Sequence, residues 1–291
     1  MPPIPQYTKN NSGLRSLLAC LVLGAGVYIL VVIAAYHTQS AIIFHPGGLT
    51  VNPPTGFPIE AVSIPTADGL RLNGWWLPAS GTRRTVLFFQ GNRLRASDHT
   101  LRLQTLAALG VNALLFDYRG FGQTAGHIYR EEDIYRDGQA AWDYLRHERG
   151  IPAGDIILWG RSLGGAVAVE VARHQPAGAL VLESTFYALD EMARIEYRWL
   201  PTRYLLKFHF RNGAKLQDVR APIIIIHSPL DGYIPFSQGQ RLFQAAPEPK
   251  VLLTTTGHHL ELFDRHAIYR QQFISDLNRL THAGMSTASL P

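Results

Sequence analysis

One serine stands where a nucleophile can be made. Gly160-Arg161-Ser162-Leu163-Gly164-Gly165 follows the apolar run Asp155–Trp159 and leads into the small, apolar stretch Ala166–Arg173. Gly-x-Ser-x-Gly between a strand and a helix carries the serine through a sharp, strained turn that pushes its hydroxyl outward. Glycines two positions before and two after are needed because a Cβ there would collide with the neighbouring strand or helix. The helix N-terminus beneath favours developing negative charge. The bland reading of the same residues is a tight turn and nothing more.

A serine hydroxyl attacks poorly until a histidine takes its proton, and the histidine needs a carboxylate to fix its tautomer. With the nucleophile on a strand–turn–helix elbow, the order along the chain is serine, acid, histidine. Past the apolar run Pro222–His227 lies Ser228-Pro229-Leu230-Asp231-Gly232-Tyr233-Ile234-Pro235. Asp231 is the expected orienting acid; otherwise it is a turn aspartate beside Gly232. Past Lys250–Thr255 comes Gly257-His258-His259. One of the pair is expected to be the base, with His258, directly after the glycine, the first choice and His259 the other.

Acyl transfer at such a serine creates an oxyanion that two backbone N–H groups must face. Leu163, the residue after the nucleophile, supplies the first, and Asn92 in the loop Gln90-Gly91-Asn92 is the candidate for the second. Arg93 and Arg95, close behind, read as solvated loop charges. Asp117 also ends an apolar run, but Asp117-Tyr118-Arg119-Gly120-Phe121-Gly122 reads as a structural loop lining the pocket. Cys20 is the only cysteine, so no intrachain disulfide forms, and no Cys/His cluster has zinc spacing. Neither a metal nor a cofactor is expected.

These residues need a scaffold. Glu60–Ile64 and Leu70–Leu77 flank Asp68-Gly69, a hairpin signal. Beyond it, Thr85–Gln90, Asn112–Asp117, Asp155–Gly160, Ala179–Glu183, Pro222–His227 and Lys250–Thr255 are short apolar runs of the kind that lie in sheets covered on both faces. Helical stretches fall between them, at about Asp98–Leu109, Glu132–Arg149, Leu163–His174, Ala188–Leu200, Phe236–Ala246 and Leu260–Leu280. A hairpin followed by strand–helix repeats predicts an α/β domain with a mostly parallel, doubly wound sheet. In such sheets ligands sit beyond the carboxyl ends of the strands, where Ser162, Asp231 and the histidine pair all fall.

The chain of 291 residues, 46% hydrophobic and 17% charged, is long enough for a full core and too apolar for general disorder. Its net charge of +5 is too diffuse to argue for nucleic acid and suits a place near an anionic membrane surface. Leu17–Tyr36 holds no charged residue; a helix of that length reaches about 30 Å, the thickness of a bilayer's hydrocarbon core. Lys9 and Arg15 precede it, and no Lys or Arg follows before Arg71. That bias puts the N-terminus in the cytoplasm and the rest on the far side of a single-pass membrane protein. A signal peptide is the rival, but its apolar region is usually shorter. The expected organisation is a cytoplasmic 1–16, an anchor at 17–36, a Pro/Gly-rich linker at 37–58, the α/β domain at 59–281 and a frayed tail at 282–291.

Taken together, the chain resembles the α/β-hydrolase superfamily, and most of all its membrane-tethered serine-aminopeptidase-like branch, which includes depalmitoylase-type enzymes. The resemblance runs from about Gln39 to about Leu280. It rests on Ile43-Phe44-His45-Pro46, Ala67-Asp68-Gly69-Leu70, Gln90-Gly91-Asn92, Asp117–Gly122, Gly160–Gly165 and Ser228–Gly232. It implies an eight-stranded sheet with an N-terminal hairpin, a minimal lid, and Ser162, Asp231 and His258 as catalytic residues. The implied activity is cleavage of an ester, thioester or amide bond through an acyl-enzyme, with the bilayer and an ester or acyl-chain substrate as partners. An acyltransferase using the same acyl-enzyme and a non-catalytic tethered binding domain are the alternatives. Two departures stand out: Gln90 replaces the family's usual histidine, and Gly257-His258-His259-Leu260 runs one residue shorter than the usual Gly-His-Asn-Asp.

Overall fold

The structure, a computed structural model, describes residues 12–44, 56–92, 100–259, 263–264 and 267–287, with the side chains of Ser12 and 282–287 excepted. Lys9, Arg93, Arg95, half of the expected linker (45–55) and the end of the expected tail lie outside the described residues.

The first helix, α1 (Ser12–Phe44), is unbroken over 33 residues. It is long and apolar enough to cross a membrane, and its leucines and valines from Leu14 to Val31 are exposed. It does not stop at Tyr36, where the sequence reading began a linker. Residues 37–44 stay helical because they have something to pack on. Phe44 is buried against Phe208 and Phe210, with ring centroids 4.9 and 6.2 Å away, and Gln39 is bonded into the folded domain. Tertiary contacts here outweigh the local Pro/Gly signal that follows at Pro46.

The domain opens with β1 (Glu60–Pro65) and β2 (Arg71–Leu77), joined through Asp68-Gly69, where Gly69 takes a left-handed φ of +85°. Then come β3 (Thr85–Phe89), α2 (Thr100–Ala108), β4 (Asn112–Phe116), α3 (Glu131–Asp143), β5 (Ile156–Arg161), α4 (Leu163–His174) and β6 (Ala179–Glu183). The short α5 (Leu189–Glu196), α6 (Thr202–Leu205) and α7 (Asn212–Lys215) lead to β7 (Ile223–His227), α8 (Phe236–Ala245), β8 (Lys250–Thr254) and α9 (Ala267–Thr287). The eight strands form one sheet in the order β1-β2-β4-β3-β5-β6-β7-β8. Only β2 runs against its neighbours; from β4 to β8 every pairing is parallel.

The apolar runs are continuous because each strand feeds two cores. Leu87, Phe89, Leu158, Ile223 and Ile225 face α3, α4 and α8, while Phe88, Trp159, Ile224 and Ile226, one residue out of phase, face α2 and α9. That is the period-two geometry of a sheet buried on both sides. The region between β6 and β7 is a small lid, as expected, but it is less regular than its aromatic sequence suggested. Tyr197–Phe210 contains only the single turn of α6, cut off on its N-terminal side by Pro201.

Candidate active site

Ser162 stands at the turn from β5 to α4 with φ of 53°, a left-handed conformation that costs a non-glycine residue about 1–3 kcal/mol. The surrounding structure holds it there. Its N–H donates to the Glu183 carbonyl (2.9 Å), and its own carbonyl accepts from the Thr185 hydroxyl (2.6 Å). The flanking glycines are needed for space. A Cβ on Gly160 would meet the Gly164 carbonyl at 2.5 Å; one on Gly164 would run into the Phe89 and Gln90 carbonyls; one on Gly165 would strike Thr185.

Behind this turn, on the opposite face of the sheet, Arg102 Nη2 reaches both oxygens of Glu183 (2.7 and 2.8 Å) and pairs with Asp264 (3.1 Å). The Trp159 indole N–H also donates to Glu183 (2.7 Å). Burial pushes the Glu183 carboxyl up, but Arg102 and Arg161 outweigh it and hold it below the ordinary carboxylate range. The ends of β5 and β6 are thereby tied together directly under the serine.

Asp231 lies in the loop after β7, buried, with both oxygens occupied. Oδ1 accepts the N–H groups of Tyr233 (2.9 Å) and Ile234 (3.0 Å), and Oδ2 faces His259 Nδ1 at 2.8 Å. Burial pushes this carboxyl up; the His259 hydrogen bond and the two backbone donors pull harder, leaving it below the usual range and ionised at neutral pH. A carboxylate only accepts, so Nδ1 of His259 carries the hydrogen. Its Nε2 is then free to accept from the Ser162 hydroxyl, 3.2 Å away.

The histidine joined to Ser162 and Asp231 is therefore His259, and the expectation of His258 is corrected. His258 is exposed and turns its Nδ1 to the Leu230 carbonyl at 3.3 Å. The reason is the phase of an extended backbone. From the end of β8 onward, Leu253, Thr255, Gly257 and His259 are buried, while Thr254, Thr256 and His258 are exposed. That alternation is the signal that could have chosen between the two neighbours.

Leu163 and Asn92, expected to hold an oxyanion, border the same cavity as Ser162. Gly91 lies so close that a Cβ there would sit 3.2 Å from the Ser162 Cβ, and this brings the Asn92 backbone beside the serine. Gln90, at the place of the family's histidine, is buried and donates its amide to Asp117 Oδ1 (3.2 Å). Asp117 and its loop hold Gln90 from behind; they do not line the cavity, contrary to the sequence reading. A residue missed from sequence is His227, the last of β7. Its Nε2–H donates to the Ile234 carbonyl (3.0 Å), bracing the loop that carries Asp231. Burial pushes its imidazole down and keeps it neutral. Its place at a strand end, four residues before the acid, was the available clue.

The cavity beside Ser162 measures about 580 Å³, in the usual range for small-molecule sites. Its floor is Ser162, Leu163 and Asn92, and its walls are largely apolar. No group of three or more His, Cys, Asp or Glu side chains is arranged to hold a metal among the described residues.

With this geometry in view, comparison with known proteins settles the lineage. Residues 81–212 match the family model for serine aminopeptidase S33, and the chain is 38% identical over 205 residues to the uncharacterized Mycobacterium tuberculosis protein Rv2307c, covering 68% of this chain and 72% of that one. The chain belongs to the α/β-hydrolase superfamily. This hydrolase is also 31% identical over 234 residues to the uncharacterized protein YfhR of Escherichia coli K12, covering 76% of this chain and 81% of that one. Among solved structures its fold is similar to that of the Pyrococcus furiosus esterase Pf2001, with a TM-score of 0.68 at 19% identity, covering 81% of this chain and 97% of that one. The esterase domain of a Rhodothermus marinus protein superposes with a TM-score of 0.56 at 23% identity, covering 77% and 99%. The serine turn, the sheet and the lid of this hydrolase thus stand in a fold that esterases share.

Proposed function

We propose that this α/β-hydrolase is a membrane-anchored serine hydrolase that cleaves carboxylic esters or thioesters through an acyl-enzyme. The observation that carries the reading is the unbroken hydrogen-bond chain Ser162–His259–Asp231 opening onto an apolar cavity. His259 Nε2 takes the hydroxyl proton as Ser162 Oγ attacks the substrate's carbonyl carbon. Asp231 steadies the imidazolium that forms, without itself taking the proton. The carbonyl oxygen, now negative, lies against the N–H groups of Leu163 and Asn92, with the first turn of α4 adding its dipole. Collapse of the tetrahedral adduct breaks the bond to the leaving group, which receives its proton from His259. Water, activated by the same imidazole, then hydrolyses the acyl-serine and restores the free hydroxyl.

The anchor reading draws on α1, with its exposed apolar length, and on the basic residues Lys9 and Arg15 ahead of its uncharged stretch, which favour a cytoplasmic N-terminus and a catalytic domain on the opposite side. Esterase neighbours in the same fold add weight to an ester substrate. Labelling with a fluorophosphonate probe tests the nucleophile: wild type should react and Ser162→Ala should not. Equal labelling of the two would refute the reading.

A further inference from the structure

The membrane helix is not a free tether. Gln39, buried on α1, donates from Nε2 to the carbonyl of Leu205 in the lid (2.8 Å), and its Oε1 accepts the N–H of Lys207 (2.9 Å). Higher up, the Tyr28 hydroxyl donates to the Trp199 carbonyl at 3.0 Å, and the Lys207 ammonium sits 4.0 Å from the centre of the Tyr36 ring. Lower down, the Ser40 hydroxyl donates to the Ile128 carbonyl and Phe44 is buried with Phe208. A helix held at so many heights keeps a fixed position against the lid.

That position completes the cavity. Ala35, Gln39, Ile42 and Ile43 of α1 border the same space as Ser162, facing Met192 and Leu200 of the lid region. These side chains recur at three- and four-residue spacing, so they form one stripe along the helix. The stripe is apolar except for Gln39, whose amide is already satisfied by the lid. A largely apolar cavity with a nucleophile at its floor suits a hydrocarbon chain, whose methylenes leave water on entering it. The lid beside α1 also exposes Ile195, Trp199 and Tyr204, continuing the apolar surface of the helix.

We infer that the last turns of α1, from Ala35 to Ile43, form one wall of the acyl-chain pocket, so that the membrane helix itself sets which acyl chains reach Ser162. The occupant is the hydrocarbon tail of an amphiphilic ester whose carbonyl sits at Ser162. This rests on the serine-hydrolase reading above and adds to it a residue-level determinant outside the catalytic domain.

Ala35 is the residue to test, because it lines the cavity and a ring placed there takes up its space. Full-length protein in detergent micelles should be assayed on p-nitrophenyl acetate and p-nitrophenyl laurate, alongside fluorophosphonate labelling. In Ala35→Phe the ratio of kcat/KM for laurate to that for acetate should fall about tenfold or more. Ala35→Leu, a smaller and gentler change, should give an intermediate fall and guards against misfolding of the first variant. Ala41→Phe, on an exposed position of α1 outside the cavity, should keep the wild-type ratio. Should Ala35→Leu and Ala35→Phe label normally and match Ala41→Phe, the wall is refuted while the hydrolase reading stands. Absence of both labelling and acetate hydrolysis in wild type would overturn both.

Discussion

His259 Nδ1 lies 2.8 Å from Asp231 Oδ2, although 27 residues, including all of α8 and β8, separate them in the chain. The carboxylate is oriented before the histidine reaches it, because its other oxygen already accepts two backbone N–H groups. The second oxygen is left for His259, whose other ring nitrogen lies 3.2 Å from the Ser162 hydroxyl. The neighbouring imidazole of His258 is exposed, with its Nδ1 at the Leu230 carbonyl.

Exchanging the two histidines singly should separate their roles. His259→Ala removes the proton acceptor and should lower kcat about 10³–10⁴-fold. His258→Ala loses only an exposed contact to Leu230 and should stay within a few-fold of wild type. Ester hydrolysis by purified variants reads both, and the reverse order of losses would return the base to His258.

Asp231→Asn keeps the shape of the loop but puts an amide where a pure acceptor stood. The imidazole is then no longer held with its hydrogen on Nδ1, and Nε2 loses its standing as acceptor for Ser162. A fall in kcat/KM of about 10⁴-fold is expected. Steady-state assays giving a loss below tenfold would remove Asp231 from the relay.

The turn at Ser162 should tolerate no side chain at Gly164. Its Cβ would press on the Phe89 and Gln90 carbonyls, which are backbone atoms that cannot rotate away. Gly164→Ala should cost about 3 kcal/mol and lower Tm by about 6–12 °C. Gly154→Ala, with open space at its Cβ, serves as the comparison and should shift Tm by no more than a degree or two. Similar Tm values for the two variants would mean the crowding at the elbow is absorbed.

Asp68 gives the acid limb of stability a specific origin. The Arg119 guanidinium (2.8 Å) and the Thr66 hydroxyl (2.6 Å) hold its carboxyl down to about 2, against an ordinary 3.8. With the folded value below the unfolded one, the unfolded chain binds more protons in that interval, so the contribution is complete above 3.8 and is lost as pH falls through about 2. Asp68→Asn should therefore melt below wild type at neutral pH, with the gap closing across that window. Thermal melts at a series of pH values would contradict this if the gap persisted at the acid end.

Much of the molecule was legible from local patterns. The aliphatic runs named the strands because a strand covered on both faces has no room for polar residues, and the two-core division of Leu87 and Phe88 or Ile223 and Ile224 bears this out. The loop Gly160–Gly165 was recognisable because steric exclusion leaves its signature as glycine. Asp231 was found by its place just past a strand end. The length of α1 was underestimated, since Pro46 and Gly47 draw the eye to a break that the packing of Phe44 postpones.

By itself, then, the amino-acid order determined the sheet, the serine turn, the acid loop and an apolar N-terminal helix, because each depends on neighbours within a few residues. The tertiary structure alone decided which of two adjacent histidines meets Asp231, and that the last turns of α1 border the cavity. Both depend on where distant backbone segments come to rest: a one-residue change of phase past β8 reverses which side chain points inward, and the seat of Gln39 exists only once the lid is folded beside it.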